Sequence, residues 1–115
     1  IFTYPEIGTV GMNEEQAKDK GIEHKVGRFH FRANGKALAM NELNGFVKVI
    51  ADGQGVIIGA QIIGPHASDL IHEFALAAQN RLTIADVAST IHAHPTLSEA
   101  LVEAVEDLED RAIHK

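Results

Sequence analysis

The residues of this chain best suited to chemistry lie in one short segment, His92-Ala93-His94-Pro95-Thr96-Leu97-Ser98-Glu99. An imidazole gains and loses a proton near neutral pH, which suits histidine to general acid and base catalysis. A carboxylate beside the ring fixes its tautomer and favours its protonated form. The segment is therefore compatible with acid–base chemistry, in which His94 would carry the proton and Glu99 would orient its ring.

Two other interpretations of this segment stay open on spacing alone. Pro95 disfavours the helical region for His94 and displays it ahead of a helix. In the first alternative, Thr96 and Glu99 form a capping box without a chemical role. In the second, a strand turns His92 and His94 to one side, with Glu99 as the third ligand of a metal ion. We expect no metal site, because the chain has no His-x-x-x-His or Glu-x-x-His spacing.

Composition limits the chemistry that this chain can perform alone. It has 115 residues, 45% apolar and 23% charged, which is typical of one globular domain, and it has no cysteine. A thiol nucleophile, a redox disulfide, a thiolate-held iron–sulfur cluster and a Cys-ligated zinc are therefore excluded within these residues. The net charge of −6 argues against nucleic acid. No apolar run approaches the ~20 residues of a membrane span, so we expect a soluble domain.

The first residues predict a fragment of a longer protein. The chain begins at Ile1 rather than at a methionine, and residues 1–5 have the pattern of a strand already under way. The next element is predicted to be a helix over residues 14–20, because Asn13 and Gln16 form a capping-box pattern and Gly21 is suited to end a helix.

The second half of the chain is predicted to be mostly helical. Residues 66–79 carry a helical apolar stripe, and Thr83 with Asp86 forms a second capping-box pattern. The helix that follows Thr83 is expected to bury Ile84, Val87, Ala88 and Ile91, and the last helix Leu97, Leu101, Val105 and Leu108. Six acidic residues near the end are expected on a solvated helix face: Glu99, Glu103, Glu106, Asp107, Glu109 and Asp110.

A β-hairpin is the clearest local prediction. Residues 46–50 and 56–63 are β-branched runs joined by Asp52-Gly53-Gln54-Gly55. Gly53, Gly55 and Gly59 nearly match a dinucleotide fingerprint, but a strand rather than a helix follows them, which favours a turn. Residues 26–31 also alternate like a strand, whereas residues 33–40 stay open between a helix and a loop. The predicted fold class is α+β, an antiparallel sheet covered by helices.

Four motifs resemble the C-terminal interface domain of the pyridine-nucleotide disulfide oxidoreductase family, and specifically its dihydrolipoamide dehydrogenase branch. They cover nearly the whole chain. The four are Phe2-Thr3-x-Pro5-Glu6-x-x-x-Val10-Gly11, Arg32-Ala33-Asn34-Gly35-Lys36-Ala37, Gly59-Ala60-Gln61-Ile62-Ile63-Gly64-Pro65, and the segment from His92 to Glu99.

The resemblance implies a homodimeric enzyme whose FAD domain, NAD domain and redox-active cysteine pair lie outside this chain. His94 would serve as acid–base residue for the disulfide of the opposite subunit, with Glu99 as its orienting partner. The His94–Pro95 bond would be cis, and the backbone of His94 and Pro95 would lie beside the FAD of the partner subunit. Residues 1–115 would form one interface domain, inactive alone.

The resemblance also implies the substrate and the partners. These are dihydrolipoamide on a lipoyl domain, oxidised with NAD, and a peripheral subunit-binding domain of a 2-oxoacid dehydrogenase acyltransferase. Two alternatives remain: the interface domain of another disulfide oxidoreductase, of the glutathione or mercuric reductase type, and a pure protein-interaction module. We expect a cytoplasmic location and neither nucleic acid nor membrane as a partner.

Overall fold

Four antiparallel strands, in the order β1-β4-β3-β2, form the sheet of the described chain. They are β1 (Glu6–Gly11), β2 (His24–His30), β3 (Phe46–Asp52) and β4 (Ile57–Gly64). The structure is a computed structural model that describes residues 6–40, 44–64 and 66–109, with the backbone alone for residues 38–40. The strand predicted at residues 1–5 lies outside these ranges.

The described residues also form α1 (Glu14–Asp19), α2 (Gly35–Met40), α3 (Ala67–Gln79), α4 (Ile84–Ala88) and α5 (Glu99–Asp107). Both predicted capping boxes are present, with Asn13 and Thr83 as the capping residues. Gly21 has a φ of +68°, the left-handed conformation predicted for it just after α1. β2 ends one residue before the predicted boundary, and the fully buried Phe31 starts a short 3-10 turn.

The predicted hairpin of β3 and β4 is confirmed. The Asp52 carboxylate closes its turn by accepting hydrogen bonds from the N–H groups of Gln54 at 2.9 Å and Val56 at 3.0 Å. Gly55 adopts a φ of +83°, which side chains rarely tolerate. Because a strand follows these glycines, they serve the turn, and the dinucleotide interpretation of this stretch is set aside.

One face of the sheet is buried under two helices, α3 over β1 and β4, and α5 over β2 and β3. Glycines permit this close approach, since a Cβ on Gly8 would lie 2.8 Å from the carbonyl oxygen of Ala67, and one on Gly27 would collide with that of Ala104. Fully buried side chains of both layers meet between them: Val47, Val49, Ile62, Phe74, Leu101 and Val105. The core therefore fixes α3 and α5, the helices that flank the candidate site.

The predicted burial of Ile91 on a helix face is wrong. α4 ends at Ala88, and Ile91 is 96% exposed. The hydroxyls of Ser89 and Thr90 both donate to the carbonyl oxygen of Asp86, at 3.1 and 2.9 Å. These side-chain bonds compete with helix continuation and turn the chain into a loop.

The predicted solvated position of Asp107 is also wrong. Asp107 is only 8% exposed, and its Oδ2 accepts a hydrogen bond from the backbone N–H of Arg28 at 3.0 Å. Arg28 lies on β2, an edge strand whose outward N–H groups need acceptors. Asp110 lies outside the described residues. None of the described helices has the length and apolar character needed to cross a bilayer.

Candidate active site

The candidate site lies on the loop of residues 89–98, between α4 and α5. The His94–Pro95 peptide bond is cis, which confirms the isomer expected from the resemblance. The His94 side chain is 77% exposed, and its neighbours Ala93 and Pro95 are exposed as well. The loop therefore presents an imidazole and its adjacent backbone to a molecule outside the described chain.

His94 and Glu99 are in direct contact. Nδ1 of His94 lies 3.0 Å from Oε1 and 2.9 Å from Oε2 of Glu99. An ionised carboxylate only accepts hydrogen bonds, so Nδ1 carries a proton, and in the neutral ring Nε2 is the basic nitrogen. Among the described residues Nε2 has no hydrogen-bond partner. Nε2 is thus the atom that can exchange a proton with an incoming group.

Glu99 is held in place because it is the first residue of α5. Its Oε1 also accepts a hydrogen bond from the backbone N–H of Thr96 at 3.1 Å. The bond from Thr96, followed by the bond from His94, lowers the pKa of Glu99 below its ordinary value of 4.5. The carboxylate is therefore ionised at neutral pH, in the position from which it orients the His94 ring.

Thr96 does not cap α5 with its side chain, contrary to the capping-box interpretation. Its hydroxyl donates to the carbonyl oxygen of Ala93 at 2.7 Å, and Ser98 is the residue that precedes the helix. The turn at Pro95 brings the Ala93 carbonyl within reach of that hydroxyl. Of the two hydrogen bonds of a capping box, only the one from the Thr96 N–H to the Glu99 carboxylate is present. Glu99 accepts this bond and the bond from His94 at the same time.

His92 does not join His94 and Glu99 as a third ligand but binds a residue of α3. Its Nε2 lies 2.7 Å from Oε2 of Glu73, and its side chain is only 9% exposed. The described residues contain no group of three or more His, Cys, Asp or Glu side chains that could hold a metal ion. The metal hypothesis therefore gains no support from the described chain.

Sequence reasoning missed two residues that hold this loop. Asn34, 4% exposed, donates from Nδ2 to the carbonyl oxygen of Thr96 at 3.0 Å and accepts from the Ala37 N–H at 2.9 Å. It belongs to one of the four motifs, so a signal for it existed. Glu73 lies 19 residues before His92, a separation that no local motif covers.

The remaining described histidines lie on other parts of the chain than the loop of residues 89–98. Nδ1 of His24 lies 2.8 Å from the carbonyl oxygen of Ile22, and His30 packs edge-on against Phe46. His66 and His72 are largely exposed, and His114 lies outside the described residues. None of the four described side chains approaches a second catalytic group in a way that matches the His94–Glu99 contact.

Comparison with known families gives one match over most of the chain. A family model described as the dimerisation domain of pyridine nucleotide-disulphide oxidoreductases matches residues 1–105.

Curated relatives cover the chain almost completely. Proteins named dihydrolipoyl dehydrogenase from Haloferax volcanii and Geobacillus stearothermophilus are 54% and 52% identical, over 99% of this chain and 24% of theirs. The mitochondrial dihydrolipoyl dehydrogenase of Pisum sativum is 44% identical over 99% of this chain. The chain spans about a quarter of the length of these relatives.

Solved structures have the same architecture. LpdA from Mycobacterium tuberculosis superposes with a TM-score of 0.87 at 34% identity, over 93% of this chain and 24% of that one. The HOCl-induced flavoprotein disulfide reductase RclA of Escherichia coli, in its Cu(II) complex, superposes with a TM-score of 0.85 at 27% identity, over 90% of this chain and 24% of that one.

Proposed function

This chain belongs to the dimerisation-domain family of the pyridine nucleotide-disulphide oxidoreductases, and from that membership we propose that residues 1–115 are the interface domain of a homodimeric flavoprotein that oxidises dihydrolipoamide to lipoamide with NAD. Membership confirms the resemblance and the α+β fold class predicted from the sequence. The relatives are dihydrolipoyl dehydrogenases, which are oxidoreductases, and this chain is a dimerisation domain of that type of enzyme.

The contact between His94 and Glu99 is the observation that carries the proposal. A free thiol with a pKa near ~8.5 is mostly protonated at neutral pH and needs a base before it can attack a disulfide. The outward Nε2 of His94 supplies that base, and Glu99 balances the charge that the ring then acquires. The exposed His94 belongs to a domain whose family is named for dimerisation.

The proposed reaction moves two protons and two electrons from dihydrolipoamide to a disulfide of the opposite subunit. Nε2 of His94 takes a proton from one substrate thiol, and the thiolate attacks the disulfide, which breaks its S–S bond and forms a mixed disulfide. His94 then passes its proton to the enzyme thiolate that this attack releases, and its Nε2 takes the proton of the second substrate thiol. The second substrate sulfur displaces the remaining enzyme sulfur and closes the lipoamide ring. The second enzyme thiolate receives this second proton from His94, so the enzyme disulfide ends as two thiols.

The cofactors would be held mainly by other domains of the full-length enzyme. The backbone at His94 and Pro95 fits a contact with the FAD of a partner subunit, because residues 93–95 are exposed. When bound, FAD supplies the acceptor for the electrons that leave the reduced disulfide, and NAD accepts them last. We further propose a lipoyl domain and an acyltransferase subunit-binding domain as partners, and a cytoplasmic location stays a prediction.

Replacing His94 in the full-length dimer tests this function. His94→Gln should lower lipoamide-dependent turnover by about 10²–10⁴-fold, the usual contribution of a general base. Reduction of an artificial quinone by NADH, which needs no thiol deprotonation, should stay at the wild-type rate. His72→Gln is the matched control, since His72 is exposed on α3. Wild-type lipoamide turnover in His94→Gln would show that the assignment is wrong.

A second candidate is a flavoprotein that reduces a different disulfide. It is favoured by the 27% identity and TM-score of 0.85 to the Escherichia coli disulfide reductase. The base and its partner would act in the same way, because thiol–disulfide exchange always requires a thiolate. Steady-state comparison of lipoamide with glutathione disulfide, each reduced by the full-length enzyme with NADH, separates the two candidates.

A further inference from the structure

The ring of His92 lies between two hydrogen-bond acceptors. Nε2 is 2.7 Å from Oε2 of Glu73, and Nδ1 is 2.8 Å from the carbonyl oxygen of Thr90. Neither an ionised carboxylate nor a carbonyl can donate a hydrogen bond, so only a ring with protons on both nitrogens satisfies both contacts. The geometry therefore favours the imidazolium form of His92.

We propose that His92 is a positioning residue for the disulfide chemistry: as an imidazolium bound to both Glu73 and Thr90, it ties the loop that carries His94 to α3. This inference rests on the proposed function of His94. It gives the first histidine of the His-x-His-Pro segment a role of its own, distinct from that of the exposed base two residues later.

The contact between His92 and Glu73 matters because the His94 side chain has little packing of its own. The His94 side chain is 77% exposed, whereas that of His92 is 9% exposed and that of Glu73 is 31% exposed. Glu73 precedes Phe74, which is fully buried in the core, so its backbone is held by the fold. The bond from His92 to Glu73 thus links the exposed loop to a fixed helix, and an accurately placed base depends on such support.

The charges around His92 support the imidazolium. Two carboxylates face it, Glu73 from α3 and Glu99 from α5, while the carboxylate of Asp86 on α4 is bound to the N–H of Thr83. Burial alone would lower the pKa of His92, but its bonds to Glu73 and Thr90 and the attraction of both carboxylates outweigh this, and the pKa lies above its ordinary value of 6.5. The positive ring in turn helps to lower the pKa of Glu99.

The pH dependence of the contact between His92 and Glu73 follows from the raised pKa of His92. A group whose pKa is raised in the folded protein contributes fully to stability at a pH below its unfolded pKa. This contribution is lost as the pH rises through its folded pKa. In a plot of lipoamide turnover against pH, the rate should therefore fall on the alkaline side, the alkaline limb, as His92 loses its charge. Removing the Glu73 charge should move this limb to lower pH, because the main attraction for the proton is lost.

The test uses the full-length dimeric flavoenzyme with Glu73→Gln, which keeps the size of the side chain and removes its charge. Lipoamide turnover should fall about tenfold, the scale of one charge-assisted hydrogen bond, and the alkaline side of its pH profile should shift to lower pH. Quinone reduction by NADH and the dimeric state should be unchanged. Asp69→Asn is the matched control: it removes an 86% exposed carboxylate from the same helix and should change none of these quantities.

His92→Gln, which can reach only one of the two acceptors, is the second variant. Wild-type turnover and an unmoved alkaline limb in both variants would overturn the inference while leaving the function of His94 intact, provided that His94→Gln is inactive with lipoamide. Equal loss of quinone reduction and of dimer would also overturn it, because the pair would then support the fold rather than the base. Full turnover in His94→Gln would overturn the proposed function and this inference together.

Discussion

At the scale of single residues, the hydrogen bond from Nδ1 of His94 to the Glu99 carboxylate determines whether Nε2 can act as a base. Because Glu99 accepts from Nδ1, the neutral ring has its lone pair on the nitrogen that faces outward. A ring free to choose the other tautomer would present an N–H there and could not take a proton from a thiol. The pairing therefore selects the tautomer that a general base requires, before any substrate arrives.

The lowered pKa of Glu99 gives a direct test of this pairing. A carboxyl group whose pKa is lowered in the folded protein contributes to stability at a pH above its unfolded pKa. This contribution is lost as the pH falls through its folded pKa. In an NMR titration of the 115-residue chain, the Glu99 carboxyl should have a midpoint below 4.5. In His94→Gln the midpoint should rise only part of the way toward 4.5, because the bond from the Thr96 N–H, the largest cause, remains.

Glu14 provides the internal reference for this titration, since the bond from Lys48 lowers its pKa and it lies on α1, far from the loop in sequence. Its midpoint should be the same in the wild-type chain and in His94→Gln. A Glu99 midpoint at or above 4.5 in the wild-type chain would contradict the geometry of the pair.

At the scale of elements, the site depends on how closely α5 approaches the sheet. α5 begins with Glu99, and its next turns are pressed against β2, where a Cβ on Gly27 would collide with the carbonyl oxygen of Ala104 and come within 2.9 Å of Leu108. Because Glu99 is the first residue of α5, its place beside His94 depends on the position of that helix. Packing at Gly27 and chemistry at His94 are therefore linked through one helix.

Gly27→Ala should accordingly destabilise the domain by about 1–3 kcal/mol, the range for overpacking a well-filled contact. Thermal unfolding of the full-length enzyme measures the loss, and lipoamide turnover should fall with it. Gly35→Ala is the matched control, because a Cβ there meets no atom within 4 Å and the backbone has no left-handed strain. Equal melting temperatures for the two variants would mean that α5 has room to move.

Local patterns predicted the elements that depend on local bonds. The capping boxes at Asn13 and Thr83 and the turn at Asp52 satisfy their hydrogen bonds within four residues, so the sequence contains all the information needed. The contact of His94 with Glu99 also spans only five residues, but its spacing left a capping box and a metal site open, and the family resemblance was needed to choose the pair.

The features that sequence reasoning missed depend on packing between distant segments. Asp107 binds the backbone 79 residues before it and Asn34 the backbone 62 residues after it. Asp107 sits among acidic neighbours that suggest a solvated face, and only the edge of β2 shows why it is buried. The tertiary arrangement of α3 likewise determines that Glu73, rather than a metal, meets His92.

At the scale of the whole molecule, the absence of cysteine from this chain takes on a specific meaning. The proposed chemistry needs a disulfide, and the chain, which spans about a quarter of its relatives, contains none. A base on this domain can act on such a disulfide only if another part of the enzyme is held against the loop of residues 89–98. On the proposed mechanism that part is the opposite subunit, and dimerisation is then a condition of catalysis.

Ile91 offers a test of that condition. It is 96% exposed and directly precedes His92, so its apolar side chain remains in water unless a partner covers it. Burying an isoleucine contributes about 1.5–3 kcal/mol, and a homodimer has two copies. Ile91→Ser in the full-length enzyme should raise the dimer dissociation constant by at least about 10²-fold, measured by sedimentation over a dilution series. Ile91→Val, which keeps most of the apolar surface, should dimerise nearly as tightly as the wild type. An unchanged dissociation constant in Ile91→Ser would place the contact between subunits away from this loop and would leave His94 without a route to the opposite disulfide.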